Sequence, residues 1–507
     1  MKVFSFGIAL ASAAALLLAP GAASISGSNS CSGVADPDKV DCGFSGIDQS
    51  GCEAKGCCWV PSHDSGANLP WCFFKKGDAP TCPLGYNSTG EAPFSAEEVA
   101  TMRSYFLKNI NVDGSGAVVA APDYNTPGGS YYYHWMRDGA LSTAALLKTA
   151  KSVGDVVEQL DAYVGWVSRV QKQQDPFQQS VLVEPKFYIP NGTVYTGGWC
   201  RPQNDGPGLR ASSLIGYANA LSSASTSSKY TAADIWKLVQ IDLDWLVSNW
   251  QSQGCDLWEE IRSDDLFWDR FTMRASLTHG AAFAKSQGDA SRASSYAAAA
   301  KSIEATLQSH YASGFIMEST NRQKDSATIC AINNGYLGDG LFKPSGAEVA
   351  GTIAALNSLF CTMFEVNQAD TKAGIPGILY GRYEGDSYAG GNPWILLSAS
   401  LAEVLYSAAS EVRARGSLTA SEYAAWAPIV GLDANSVADV GTVADAMAGS
   451  ADGVLIRIRH HVKSNGFHLN EQLNRGTGVP MSASDLTWSY AATLKAIHAR
   501  DAYRGEL

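Results

Sequence analysis

The sequence predicts an all-α protein in which one large helical domain follows a small cysteine-stapled module. Three observations carry that expectation. Eight segments repeat apolar residues at three- and four-residue spacing, the signature of a helix with one buried face. Seven of the 11 cysteines crowd between Cys31 and Cys82. Strand-like runs are short and scattered, whereas long loops rich in Gly, Asp and aromatic residues separate the helical segments. At 507 residues and 46% hydrophobic content, the chain can bury a large core.

Charge and composition narrow the function classes. With 37 basic and 49 acidic residues the formal net charge is -12, so nothing favours nucleic acid or an anionic membrane surface. A neutral partner is the easier fit. The 13 Trp and 21 Tyr suit sugars, whose C–H faces stack on rings while their hydroxyls need hydrogen-bond partners. The eight His form no HxH or HxxxH cluster, so no metal is expected, and no cofactor.

In chain order, Lys2, an apolar run to Pro20 and Gly21-Ala22-Ala23 read as a secretory signal over 1–23. No later apolar run reaches the roughly 18 residues that span a bilayer. The mature protein is expected to be secreted, extracellular and monomeric, where disulfides persist. Two glycosylation sequons, Asn87-Ser88-Thr89 and Asn191-Gly192-Thr193, fit that compartment.

Residues 31–82 form the cysteine module. Cys31, Cys42, Cys52, Cys57, Cys58 and Cys72 enclose 42 residues, too few for a sufficient core without staples. Six cysteines allow 15 pairings, and spacing alone does not choose among them. Cys82, Cys200, Cys255, Cys330 and Cys361 remain, an odd number, so at least one is free or pairs outside the chain. Cys255 immediately precedes the acidic stretch Asp256–Glu260 and Cys200 follows Trp199 in another loop, and a bond between these two is the favoured pairing. Residues 83–94, with Gly85, Pro93 and a sequon, read as a linker.

The large domain is expected over 95–507, with helices at 95–110, 138–151, 153–171, 231–250, 288–309, 393–411, 437–449 and 484–501. No fixed-length repeat points to a solenoid. Long loops in a compact domain are usually functional. Here they hold Tyr131-Tyr132-Tyr133-His134-Trp135-Met136-Arg137-Asp138, then Trp199-Cys200-Arg201-Pro202-Gln203-Asn204-Asp205, and Gly381-Arg382-Tyr383-Glu384-Gly385-Asp386 before Trp394. Rings beside forked Arg and Asp groups match vicinal hydroxyls.

Two stretches carry acid–base chemistry. Asp256-Leu257-Trp258-Glu259-Glu260 packs three carboxylates and an indole into five residues, an arrangement that makes either a general acid or the acidic start of a helix. Far along the chain, Glu471 sits between neutral Asn470 and Gln472, with Ser482 and Trp488 near in sequence, the setting of a carboxylate that stays ionised as a base.

Two resemblances join these pieces. The order Cys, Cys-Gly-Phe, Cys, Cys-Cys-Trp and Trp71-Cys72-Phe73 resembles a trefoil (P-type) domain, which implies the pairs Cys31–Cys58, Cys42–Cys57 and Cys52–Cys72 and a possible glycan ligand. The domain from 95 resembles the fungal-type glucoamylases of glycoside hydrolase family 15 through five ordered motifs spread over about 360 residues: WxRD, GxWxRPQxDGPxLRA, DLWEE, GRYxxDxYxxGNPW and SxxDLTWSYA. That resemblance implies an (α/α)6 barrel with its active site in the loops at one end. It implies release of β-glucose from the non-reducing ends of starch and maltooligosaccharides, with slower attack on α-1,6 links. Glu259 becomes the general acid and Glu471 the general base, and the inverting mechanism implies carboxyls roughly 6.5 to 9.5 Å apart. Arg137, Asp138, Arg382 and the Leu257 backbone would hold the terminal glucose, Glu260 the next sugar. Trp135, Trp199, Trp258 and Trp488 would line the pocket and Tyr131 would support the acid side. Ser482 and Gln472 would support the base, and Asp386 and Trp394 the loop presenting Arg382. Negative charge on Glu471, Asp138 and Glu260 would favour a developing glucosyl cation, while a Trp wall and neighbouring carboxylates would keep Glu259 protonated. A glucodextranase or trehalase on the same barrel is the neighbouring alternative, and a non-catalytic glycan-binding protein the distant one. The chain is expected to lack a carboxy-terminal starch-binding module.

Overall fold

A computed structural model describes residues 31–507 apart from 32–33, 36–38, 44–46, 62–69, 225 and 437. The expected signal segment, 1–23, lies outside the described residues. The chain divides into two compact units, 1–79 and 80–507.

In the first unit the short helix α1 (Gln49–Ala54) starts at Asp48, whose carboxylate accepts the Gly51 N–H at 2.7 Å. Cys58–Trp59 pairs antiparallel with Cys72–Phe73. The three bonds fall as the trefoil resemblance implies: Cys31–Cys58, Cys42–Cys57 and Cys52–Cys72, with Cα separations of 5.6, 6.3 and 5.7 Å. Four of these half-cystines form the core of the unit, with Ile47, Trp59 and Phe74 packed on them.

The second unit is a double layer of helices. The first five are α2 (Ala96–Lys108), α3 (Met136–Lys148), α4 (Val157–Val170), α5 (Asp205–Ser223) and α6 (Ala232–Asn249). Then come α7 (Phe267–Ser286), α8 (Ala290–Leu307), α9 (Ala327–Gly335), α10 (Ala347–Met363) and α11 (Glu365–Lys372). The last four are α12 (Ile395–Arg415), α13 (Ala420–Trp426), α14 (Val440–Val462) and α15 (Thr487–Arg504). Helices α3, α5, α7, α9, α12 and α15 each pack on the next, and α15 returns to α3, closing a ring of six. Helices α2, α4, α6, α8, α10 and α14 alternate with them in sequence as the outer layer, α6 packing on α5 and α14 on α12. This is the (α/α)6 barrel. Arg210 of α5 and Asp242 of α6 form a fully buried ion pair at 2.5 Å between the layers, the kind whose disruption costs about 3–5 kcal/mol. Only two-stranded ribbons accompany the helices among the described residues.

Four helices of nine or more residues arise where the sequence pattern predicts none: α5, α7, α9 and α10. Their residues are buried on most sides, so a polar stripe is missing. Helix α12 has the length and apolarity of a membrane span, and it is an inner helix of the barrel with both ends of its face covered by α9, α14 and α15.

Two expected boundaries change. Cys82 bonds Cys361 on α10, so it belongs to the barrel unit and not to the cysteine module. Residues 83–94 are a packed strap, not a linker. Leu84 and Phe94 are buried, Ser88 donates to Asp452 on α14, and the Gly90 carbonyl accepts from Arg500 on α15. Gly85 lies so close to the Val430 backbone that a Cβ would sit 2.7 Å from it.

Candidate active site

The amino-terminal ends of the inner helices converge on a cavity of about 270 Å³. Glu259, Glu471 and all ten residues expected to bind substrate line it, together with Trp394. Gln472, Ser482 and Asp386 stand one layer behind, each bonded to a lining side chain.

Glu259 is carried by a tight turn and not by a helix start, because α7 begins only at Phe267. Gly254–Cys255 pairs with Arg262–Ser263, and the residues between them form the loop of this ribbon. Asp256 closes the loop: its Oδ1 accepts the backbone N–H of Glu260 at 2.7 Å and of Ile261 at 2.9 Å. Gly254 lies close to Asn204, whose side chain a Cβ there would meet at 2.6 Å. Cys255 is bonded to Cys200, as favoured from sequence, which ties this loop to the one before α5; Cys330 is the free cysteine. The turn places Glu259 itself at φ +66°, a left-handed conformation that side chains other than glycine rarely adopt.

Three donors meet Glu259, all on Oε1: Gln203 Nε2 at 2.8 Å, Trp135 Nε1 at 2.9 Å and Arg137 Nη2 at 3.3 Å. Oε2 is thereby the oxygen left for a proton. This differs from the expected apolar wall with repelling acids. The wall presents an indole N–H, and the neighbouring carboxylates are neutralised by arginines: Arg322 bonds Asp256 at 2.5 Å, while Arg382 and Arg322 bond Glu260 at 2.9 and 3.0 Å.

Glu471 is almost fully buried and held on both oxygens by neutral donors. Tyr131 donates to Oε1 at 2.7 Å; Ser482 and Gln472 donate to Oε2 at 2.5 and 2.9 Å. Tyr131 therefore supports the base and not the acid side. Burial pushes the Glu471 carboxyl above its ordinary value, and the Ser482 and Tyr131 hydroxyls work against that rise. Its backbone is pinned between Ala483, which accepts its N–H at 2.8 Å, and Ile395 at the start of α12. Ser482 sits at φ +61°.

Arg137 and Asp138 occupy the first turn of α3, Arg137 anchored on Asp205 at 2.9 Å. Burial pushes the Asp138 carboxyl up to about 7, opposed by Arg137 and aided by Glu259. Burial thus favours the protonated form of Asp138, whereas the sequence-based expectation is of a charged carboxylate. Asp386 accepts from Arg382 Nε at 2.9 Å and Nη2 at 2.6 Å, fixing the guanidinium on the cavity wall.

Sequence reading gave no role to Tyr388, which lines the cavity 3.0 Å from the Tyr131 hydroxyl, to Gln203, or to Lys186. The Lys186 ammonium lies 3.9 to 4.3 Å from the ring centroids of Tyr133, Trp135, Tyr195 and Trp199. Burial pushes it down to about 8 against the pull of Glu259. Gln203 and Tyr388 lie inside matched motifs; Lys186 lies in none of them.

Comparisons with known proteins agree with this geometry. The profile of Glycosyl hydrolases family 15 matches residues 101–498, and that of the Trefoil (P-type) domain matches 31–75. A glucoamylase of Blastobotrys adeninivorans is 32% identical over 82% of this chain and 72% of its own. Glucoamylase 1 of Rhizopus oryzae is 32% identical over 84% and 73%. Among solved structures, the glucoamylase from Saccharomycopsis fibuligera superposes with a TM-score of 0.73 at 27% identity, covering 83% of this chain and 98% of that one.

Proposed function

This chain belongs to glycosyl hydrolases family 15, and from that premise we propose that it is an exo-acting glucoamylase. It releases β-glucose from the non-reducing ends of starch and maltooligosaccharides with inversion, and cleaves α-1,6 links more slowly. The observation that carries this is the pair of glutamates lining one cavity with opposite hydrogen bonding, one oxygen of Glu259 left open and both oxygens of Glu471 held.

In the single displacement, Glu259 gives its proton to the glycosidic oxygen as the bond to C1 breaks. Water adds to C1 from the opposite face and passes a proton to Glu471. The cycle leaves Glu259 ionised and Glu471 protonated, and exchange with solvent resets both. Arg137, Asp138, Arg382 and the Leu257 backbone hold the terminal glucose, and Glu260 holds the next. The protein works as a secreted monomer, and its disulfides suit an oxidising compartment. The trefoil unit takes a glycan.

The anomer formed first from maltose, followed by proton NMR before mutarotation, tests the reading. β-Glucose is expected; α-glucose would rule out inversion. Release of glucose from trehalose or dextran at rates matching starch would point instead to the neighbouring specificities.

A further inference from the structure

The loop 319–325 carries none of the motifs above, yet it clamps the Glu259 turn at both ends. At one end Asp325 accepts the Trp258 indole N–H at 2.9 Å. At the other, the Arg322 side chain, only 11% exposed, forks onto two carboxylates: Nη1 to Asp256 at 2.5 Å and Nη2 to Glu260 Oε2 at 3.0 Å. Its guanidinium lies 3.7 Å from the Tyr383 ring centroid, and the Tyr383 hydroxyl donates to that same Glu260 oxygen. Arg322 is not part of the cavity wall.

We propose that Arg322 is a positioning residue for the sugar beyond the scissile bond: it holds Glu260 in place and so sets the enzyme's preference for substrates that carry that sugar. This rests on the reading of Glu260 given above. The argument is one of shared charge. Glu260 is pulled by Arg382 through Oε1 and by Arg322 through Oε2, so its carboxylate is suspended between two guanidinium groups. Without Arg322 it is drawn wholly to Arg382, which already serves Asp386 and faces the terminal glucose. Asp256, which closes the turn and is 2% exposed, would at the same time lose the one cation that pairs with it among the described residues. A lysine offers one charge but no planar fork, so it restores only one of the two contacts.

The test uses the full chain with Arg322→Gln and Arg322→Lys, comparing maltose with α-glucosyl fluoride, which has no second sugar. For Arg322→Gln, kcat/KM on maltose should fall about tenfold further than on the fluoride, chiefly through KM. Arg322→Lys should recover part of the difference. In a Glu260→Gln background the same substitution should leave the ratio between the two substrates where Glu260→Gln alone puts it. Equal losses on both substrates, or no loss on maltose, would overturn the proposal; if the Gln variant fails to fold, the Lys variant gives the same comparison. A wild-type chain that hydrolyses neither substrate would instead overturn the function proposed above, and this proposal with it.

Discussion

The two halves of the pocket are built from different materials. The acid half is a web of charge: Arg137, Arg322 and Arg382 interleave with Asp205, Asp256, Glu260 and Asp386 around the Glu259 turn, and a disulfide braces it. The base half is neutral, with Glu471 held by two hydroxyls and an amide. Strain is divided in the same way. On the acid side the left-handed residue is Glu259 itself, whereas on the base side it is Ser482, the donor. The contrast fits the tasks. A proton donor needs one oxygen open to its target, so the backbone is bent to aim it and contacts crowd the other oxygen. A base must hold charge in a buried place, so donors on both oxygens replace lost water without adding a cation that would hold the charge too firmly.

The largest effects should come from erasing each half in turn. Glu259→Gln and Glu471→Gln should each lower kcat on maltose by about 10²–10⁴-fold, the range for a lost general acid or base. The halves part on α-glucosyl fluoride, whose leaving group needs little protonation. Glu259→Gln should regain most of its activity there and Glu471→Gln should not. Equal recovery in both variants would undo the assignment of roles.

How much of this was legible beforehand follows the same division. Helices with one face to water, such as α4, α6 and α8, were readable as stripes; α5, α7, α9 and α10, with most positions buried or half-buried, carried little stripe to read. The loop motifs placed both glutamates and every binding residue on one cavity. What sequence could not supply was who touches whom. Tyr131 sits four residues before Trp135, which bonds the acid, yet its hydroxyl crosses to Glu471. Arg322 lies in a loop with no aromatic or glycine signal, and only the fold brings it onto Glu260. The strap 83–94 has linker composition, and its role comes from tertiary contacts that composition does not encode.

The disulfide of the acid half gives the next effect. Closing 55 residues of chain between Cys200 and Cys255 stabilises by about 4 kcal/mol in the chain-entropy account. The double substitution to Ser should lower Tm, and activity should fall because the two loops that carry Gln203 and Glu259 are no longer tied. Unchanged activity with both positions Ser would show that the hydrogen bonds alone hold the acid half.

On the base half the effects should appear as pH shifts. Removing a hydroxyl donor by Ser482→Ala or Tyr131→Phe strips away a factor that lowers the Glu471 pKa, so that pKa rises further. Because the base works ionised, the acid limb of the kcat/KM profile should move to higher pH. A hydrogen bond to a charged group is worth about 1.5–3 kcal/mol, which corresponds to about one to two pH units. A limb that stays in place in both variants would mean that the neutral donors do not set the charge on the base.

The smallest expected effect lies between the halves, at Asp138. Its carboxyl is raised to about 7 by burial, so folding favours its protonated form. The sign follows from linkage. A carboxyl whose folded pKa exceeds the unfolded value of about 3.9 contributes stability that is complete below that value and is lost as pH rises through about 7. Asp325, behind Trp258 and also raised to about 7 by burial, acts in the same direction. The Tm of the empty enzyme should therefore decline by several degrees as the pH is raised from acidic to mildly alkaline. Asp138→Asn, neutral at every pH, should flatten that decline, whereas Ser482→Ala should leave the part due to Asp138 intact. If Asp138→Asn leaves the slope of Tm against pH unchanged, Asp138 is already ionised in the empty pocket, and the negative charge beside the reacting carbon is present before any sugar arrives.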